Sequence, residues 1–228
     1  MKPLLATWLG RIGYAEAFSL QTRLAERVAG GSMPDTLLLL EHEPVYTLGR
    51  RASEAEILLD EVALESRGIA VERSDRGGRV TYHGPGQLVG YPIINLGPLA
   101  DTVGYVRALE RSLCSLAAHY GVQAGCIPGL TGLWVGDSKI AAIGVHVSRG
   151  VTTHGFAFNV DPDLSAFNGI VPCGIVDRGV TSLSALGMEA PPVRSVAMTM
   201  APLIADELGR SPTFVEPSFL EEGARAEA

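Results

Sequence analysis

A thiol, an amine and a glycine-broken run of polar side chains are the parts of this sequence able to carry chemistry. Cys173 stands in Val171-Pro-Cys-Gly-Ile175, between residues that place it on a loop. A thiol there is more open to attack than one on a helix, although most unpaired cysteines are buried and inert. Lys139 opens the run Lys-Ile-Ala-Ala-Ile-Gly-Val-His-Val and is the only lysine after Lys2. Arginine supplies the other cations, and the difference matters: a desolvated amine can titrate into a useful range, a guanidinium cannot. An ammonium beside a thiol favours the thiolate by opposite charge. The plainer alternative is a lysine that merely caps a strand edge. The third part is the segment from Asp75 to Gln87, containing Arg76, Gly77, Gly78, Arg79, Val80, Thr81, Tyr82 and His83. Paired glycines let backbone approach a ligand closely, and the N–H groups there can donate to a carbonyl or an anion. A tight hairpin with polar ends is the competing reading, but a plain turn has no use for Arg76, Arg79, Tyr82, His83 and Gln87 packed so close together.

Other chemistries find no address. There is no GxxxxGK[ST] loop, HExxH or GxSxG, and the glycines after His83 are wrongly spaced for a dinucleotide fingerprint. Cys114, Cys126 and Cys173 lie far apart without a CxxC pair, so no metal is expected. With 228 residues, 46% of them hydrophobic and 19% charged, the chain can build a core unaided and is not disordered. No apolar run approaches the ~20 residues of a membrane span. The apolar stretch before Arg11 is too short for a secretory signal, so a cytoplasmic protein with free thiols is expected. A net charge of -7 without a Lys/Arg block argues against nucleic acid. Even so, Arg50, Arg51, Arg67, Arg73, Arg76 and Arg79 crowd one region, either as a docking patch for an anionic partner or as a solvated face.

These residues need elements to position them. Helical spacing of Ala17, Leu20, Leu24 and Val28 predicts a helix over 14–28, ended by Gly30-Gly31. Leu37 to Leu40 reads as a buried strand. Strands are expected over 79–82 and 88–94, joined by His83-Gly-Pro-Gly86, with Pro92 at a sheet edge or bulge. A helix over 102–120 carries an apolar stripe, with Cys114 as a packing residue. Residues 132–136, 138–147 and 153–160 suggest an antiparallel meander. Val196, Met200, Ile204 and Leu208 suggest a helix kinked or broken at Pro202. Residues 211–228 carry little signal and read as a tail that can fray. Grouped strands with a few helices predict an α+β fold in one domain over 1–228.

Five ordered segments together resemble the lipoyl(octanoyl) transferase family. They are Glu41-His-Glu-Pro-Val-Tyr-Thr-Leu-Gly49, Arg76-Gly-Gly-Arg-Val-Thr-Tyr-His-Gly-Pro-Gly-Gln-Leu-Val-Gly-Tyr-Pro92, Lys139-Ile-Ala-Ala-Ile-Gly144, His154-Gly-Phe-Ala-Phe-Asn159, and Pro172-Cys-Gly-Ile175 followed by Val180-Thr-Ser-Leu183. The resemblance implies a fold like that of lipoate and biotin protein ligases, with mixed sheets flanked by helices. It puts the acyl-thioester nucleophile on Cys173 and its pKa-lowering partner on Lys139. Substrate contacts fall on Arg76 through His83, on Ala142, Ile143 and Gly144, and on Gly155, Phe156 and Ala157. Small residues there suit a narrow apolar slot for an unbranched tail, or else close packing. The implied reaction moves an octanoyl group from the phosphopantetheine of acyl carrier protein to a lysine on lipoyl domains of 2-oxo acid dehydrogenase complexes and the glycine cleavage H-protein. It needs no cofactor, no metal, no nucleic acid and no membrane. Oxyanion donors are expected near Cys173 or in the Gly77-Gly78 turn. An ATP-dependent lipoate ligase of the same fold and a Cys–His thioester hydrolase using His83 or His154 are the rivals.

Overall fold

Leu37, Leu38, Leu39 and Leu40 are all fully buried, yet they divide between two cores: Leu37 and Leu39 enter one, Leu38 and Leu40 the other. Side chains alternate across a strand, so a continuous apolar run means a sheet covered on both faces. The computed structural model describes residues 1–171 and 178–220. In chain order these form β1 (Lys2–Ile12), α1 (Tyr14–Ala29), β2 (Asp35–His42), β3 (Val45–Leu48), α2 (Glu61–Ser66), β4 (Ala70–Arg73), β5 (Val80–His83) and β6 (Gln87–Ile93). Then follow α3 (Thr102–His119), β7 (Gly125–Ile127), β8 (Leu130–Val135), β9 (Ser138–Ser148), β10 (Val151–Asn159), β11 (Gly179–Val180), α4 (Val193–Glu207) and β12 (Arg210–Phe214).

The large sheet runs β12-β1-β2-β6-β10-β9-β8-β7, with β11 added beside β9. β1 pairs in parallel with both β2 and β12, and β11 with β9, while the other pairings are antiparallel. One face packs on α3 and α4 through Leu109, Leu113, Val196, Met200 and Ile204; α1 covers the other with Ala17, Leu24 and Val28. A small sheet, β4-β3-β5, carries its own core of Tyr46, Val80, Tyr82, Phe167 and Ile170. Mixed sheets between helices make the α+β class plain. No helix among the described residues is long and apolar enough to cross a membrane.

Five features differ from the sequence reading. The residues before Gly13 form the long strand β1, whose bulge between Trp8 and Arg11 hides any regular alternation. β5 and β6 do not pair as a hairpin, because the His83–Gly86 turn carries the chain from the small sheet into the large one. The helix α4 continues through Pro202 without a break. Pro202 and Met198, four residues earlier, are both exposed, so the carbonyl deprived of its donor sits on the solvent side. The start of the expected tail, residues 211–214, continues β12 along β1 instead of fraying, while residues 221–228 lie outside the described residues. It is anchored by the buried Arg210–Asp35 ion pair at 2.7 Å, and Leu220 beyond it is buried as well. Its sequence shows no apolar alternation because it is an edge strand, where Pro212 is tolerated. Pro92 lies at neither an edge nor a bulge: β6 runs between β2 and β10, Pro92 pairs with Leu37 of β2, and on the other side the ladder from β10 ends at Gly90, so the missing N–H interrupts no pairing there.

Candidate active site

The two triplets meet across one ladder. Ala142 pairs with Ala157, Ile143 with Phe156 and Gly144 with Gly155. Over them lies the turn Arg76-Gly77-Gly78, fastened to β9 where the Gly77 N–H donates to the Val145 carbonyl at 2.9 Å. That bond removes Gly77 from the expected oxyanion donors. Contact this close needs glycine. A Cβ on Gly144 would stand 3.0 Å from the Gly77 carbonyl oxygen, and one on Gly49 would stand 2.7 Å from that of Gly78. Between these glycines runs the Arg76 side chain, only 8% exposed, donating to the Thr47 carbonyl at 2.7 Å and to Thr47 Oγ1 at 2.8 Å.

This arrangement encloses a cavity of about 470 Å³. Arg76, Gly77, Gly78, Arg79, Val80, Thr81, His83, Ala142, Ile143, Gly144, Gly155, Phe156 and Ala157 all line it, together with Lys139. Tyr82 does not. Strand alternation turns it away from Thr81 and His83, and its ring packs edge-on against Phe167 at 5.4 Å and Tyr46 at 5.9 Å under the small sheet. Lys139 Nζ lies 4.7 Å from the centre of the Trp134 ring, a cation–π contact. Cys173 lies outside the described residues, as do Pro172 and Gly174. The chain on either side of 172–177 is anchored at the site. The Val171 N–H donates to the Glu56 carbonyl at 2.8 Å, and Glu56 itself accepts from Arg79 at 3.0 Å. On the far side Val180 pairs with Lys139, and the Thr181 N–H donates to the Lys139 carbonyl at 3.0 Å.

Residues that the sequence reading did not place in the cavity include Tyr14, Arg51, Tyr91, Gly129, Leu130 and Thr131; His154, named there only as a base in the hydrolase alternative, lines it too. His83 Nδ1 donates to Gln87 Oε1 at 2.7 Å; Gln87 Nε2 donates to Asn159 Oδ1 at 2.9 Å; Asn159 Nδ2 donates to the Thr181 carbonyl at 2.9 Å. This chain ties the cavity wall to the segment beside Lys139. Burial, helped by nearby His42 and Arg76, holds His83 well below the usual imidazole range, so it is neutral. His154 has a left-handed backbone (φ 56°) and bonds Asp75 Oδ1 through Nε2 at 2.6 Å. Burial lowers its pKa despite Asp75, and the His154 hydrogen bond lowers that of Asp75. His154 lies beyond the β6–β10 ladder, which runs from Phe156 to Asn159, while its pairing with Val145 of β9 continues.

Neither cysteine within the described residues is an activated nucleophile. Cys114 and Cys126 both lie away from the cavity; burial first, and then Glu110, pushes both thiols up, Cys126 to about 11. Only the thiolate alkylates, so although Cys126 is exposed its iodoacetamide rate at pH 8 should be roughly a thousandth of its plateau, rising tenfold per pH unit. Peptide-resolved alkylation across pH checks this; fast labelling of Cys126 at pH 8 would contradict it. Among the described residues no cluster of three or more His, Cys, Asp or Glu side chains could hold a metal.

The mixed sheet flanked by helices is the fold of solved lipoate-protein ligases. The chain superposes on the bipartite lipoate protein ligase of Thermoplasma acidophilum with a TM-score of 0.77 at 17% identity, covering 99% of this chain and 92% of that one. It superposes on an ATP-bound lipoate-protein ligase A with a TM-score of 0.75 at 17% identity, covering 99% and 94%. Residues 13–204 match the model for the lipoyl protein ligase A/B catalytic domain, and the chain belongs to that family. Within it, the octanoyltransferase of Chloroflexus aggregans is 53% identical over 86% of this chain and 91% of its own length. That of Mycolicibacterium gilvum is 54% identical over 81% and 76%.

Proposed function

We propose that this chain is an octanoyltransferase of protein lipoylation, moving an octanoyl group from acyl carrier protein to the ε-amine of a lysine on lipoyl domains through a thioester on Cys173. Identity above one half to octanoyltransferases, over most of the chain, supports the acyltransferase class. The observation that carries the site assignment is the cavity itself: Lys139 opens into the same space as the facing Ala142–Ala157 and Gly144–Gly155 pairs of β9 and β10. A slim acyl chain needs an apolar wall with room along it, which the alanine and glycine pairs leave, and its thioester carbonyl needs a nucleophile and a proton carrier at one end.

In this reading the Cys173 thiolate, held by the Lys139 ammonium, attacks the thioester carbonyl of the donor. The bond from that carbon to the phosphopantetheine sulfur breaks, and the departing thiolate takes a proton from Lys139. The acceptor amine then attacks the acyl-enzyme, Lys139 takes the proton, and Cys173 leaves with the amide formed. Thioester is exchanged for amide, a downhill step that needs neither ATP nor metal. The acceptors are lipoyl domains of 2-oxo acid dehydrogenase complexes and the glycine cleavage H-protein. The setting is the cytoplasm, whose reducing conditions keep a nucleophilic thiol free.

The test is to mix the chain with octanoyl carrier, digest it and map the acyl group by mass. An octanoyl group on the Cys173 peptide, discharged by added lipoyl domain, is the expected result. Transfer that requires ATP and leaves no adduct would return the chain to ligase chemistry, and rapid release of octanoate without acceptor would make it a hydrolase.

A further inference from the structure

The chain carries a net charge of -7, yet its cavity is lined by Arg51, Arg76, Arg79 and Lys139 and, among the described residues, by no carboxylate. The crowded arginines sort by what they hold. Arg73 pairs with Glu54 and Arg79 with Glu56, while Arg76 is buried on Thr47. Arg67 faces a separate groove beside Tyr82 and Asp163. Arg50 and Arg51 remain. Both side chains are exposed, neither has a carboxylate partner among the described residues, and the nearby Glu54 and Glu56 are already engaged. Their backbone is held in place, since the Arg50 N–H donates to the Arg76 carbonyl at 3.0 Å and the Arg51 N–H to the Gly78 carbonyl at 3.1 Å. Arg51 thus lines the cavity and Arg50 precedes it in the chain, on a segment whose backbone is bonded to the turn that roofs the acyl wall.

We propose that Arg50 and Arg51 form an anion-receiving lip of the cavity that binds the phosphodiester of the donor's prosthetic arm. The proposal rests on the reading of the donor as a phosphopantetheine thioester. Paired guanidinium groups match a tetrahedral phosphate through parallel N–H donors, which a single ammonium cannot do. The phosphate is joined to the thioester by an arm of fixed length, so gripping it at the lip orients the acyl group toward the Lys139 end. An electropositive cavity in an acidic protein also concentrates an anionic donor at its mouth. The acceptor lysine brings no phosphate, so the lip serves the first half-reaction and leaves the second alone.

The experiment compares octanoyl-pantetheine with octanoyl-4′-phosphopantetheine as donors, reading the single-turnover rate of acyl adduct formation on Cys173. The wild type should prefer the phosphorylated donor by roughly tenfold, less at high salt. In the double variant Arg50→Gln, Arg51→Gln the ratio should collapse toward one. A wild type indifferent to the phosphate, or a double variant that keeps the preference, overturns the proposal. Indifference on the free arms combined with a loss on whole octanoyl carrier protein would also overturn it, in favour of carboxylates on the carrier surface. The absence of a Cys173 adduct from every donor would fail the transferase reading itself and this proposal with it.

Discussion

Replacing Cys173 with alanine should abolish the acyl-enzyme and lower octanoyl transfer by about five orders of magnitude, as loss of a covalent nucleophile does elsewhere. The size of the effect follows from the split of one step into two. Without the thiol, the acceptor amine must attack the carrier thioester directly, and the site can offer only positioning. Cys114 and Cys126 cannot stand in, because both lie away from the cavity and both thiols are pushed up. Serine in place of Cys173 should do little better, since a hydroxyl is a far weaker nucleophile at neutral pH. The check is acceptor octanoylation under multiple turnover, with whole-protein mass for the adduct. Full activity in the alanine variant would remove the thioester from the mechanism and leave adenylate chemistry as the better account of the same fold.

How much of this was legible beforehand depends on the distance over which each feature is encoded. The helix α1, the strand β2 and the helix α3 are written in local periodicity, because each buries a stripe or a run against a neighbouring layer. The meander β8-β9-β10 is likewise local, joined by short turns. What local pattern could not show is which sheet a strand joins. The turn after His83 reads as a hairpin, but the chain there changes sheets, and the same crossing sends Tyr82 into the small core instead of the cavity. The cavity wall draws Tyr14, Arg51, Tyr91 and Thr131 from four separate segments, and no spacing rule links them. Lys139 stands out in the sequence by its rarity and by the family resemblance, and the structure sets it in the cavity with the paired strands β9 and β10. Gly144 and Gly155 read only as small residues; their pairing across one ladder, and the turn pressed onto it, is tertiary information.

Lys139 separates two roles that a single substitution would confuse. Lys139→Met removes both the charge and the proton, so adduct formation and acceptor transfer should each fall by about two to four orders of magnitude. With the ammonium gone the Cys173 thiolate loses its opposite charge, its pKa rises, and the midpoint of Cys173 alkylation moves to higher pH. Lys139→Arg keeps a cation but supplies no group able to take up a proton near neutral pH. Its alkylation midpoint should therefore stay closer to that of the wild type than the methionine variant's does, while discharge of the acyl-enzyme to the lipoyl domain still collapses. Geometry limits how well arginine can substitute, because the ammonium already sits 4.7 Å over Trp134, and Arg178 approaches the same ring at 5.5 Å. A second guanidinium there must share the ring with the first. Measuring adduct formation, discharge and alkylation separately resolves the two roles. Equal discharge rates for wild type and Lys139→Arg would leave Lys139 as a fixed charge and move the proton transfer to another group, of which neutral His83, tied through Gln87 and Asn159 to the carbonyl of Thr181, is the best placed.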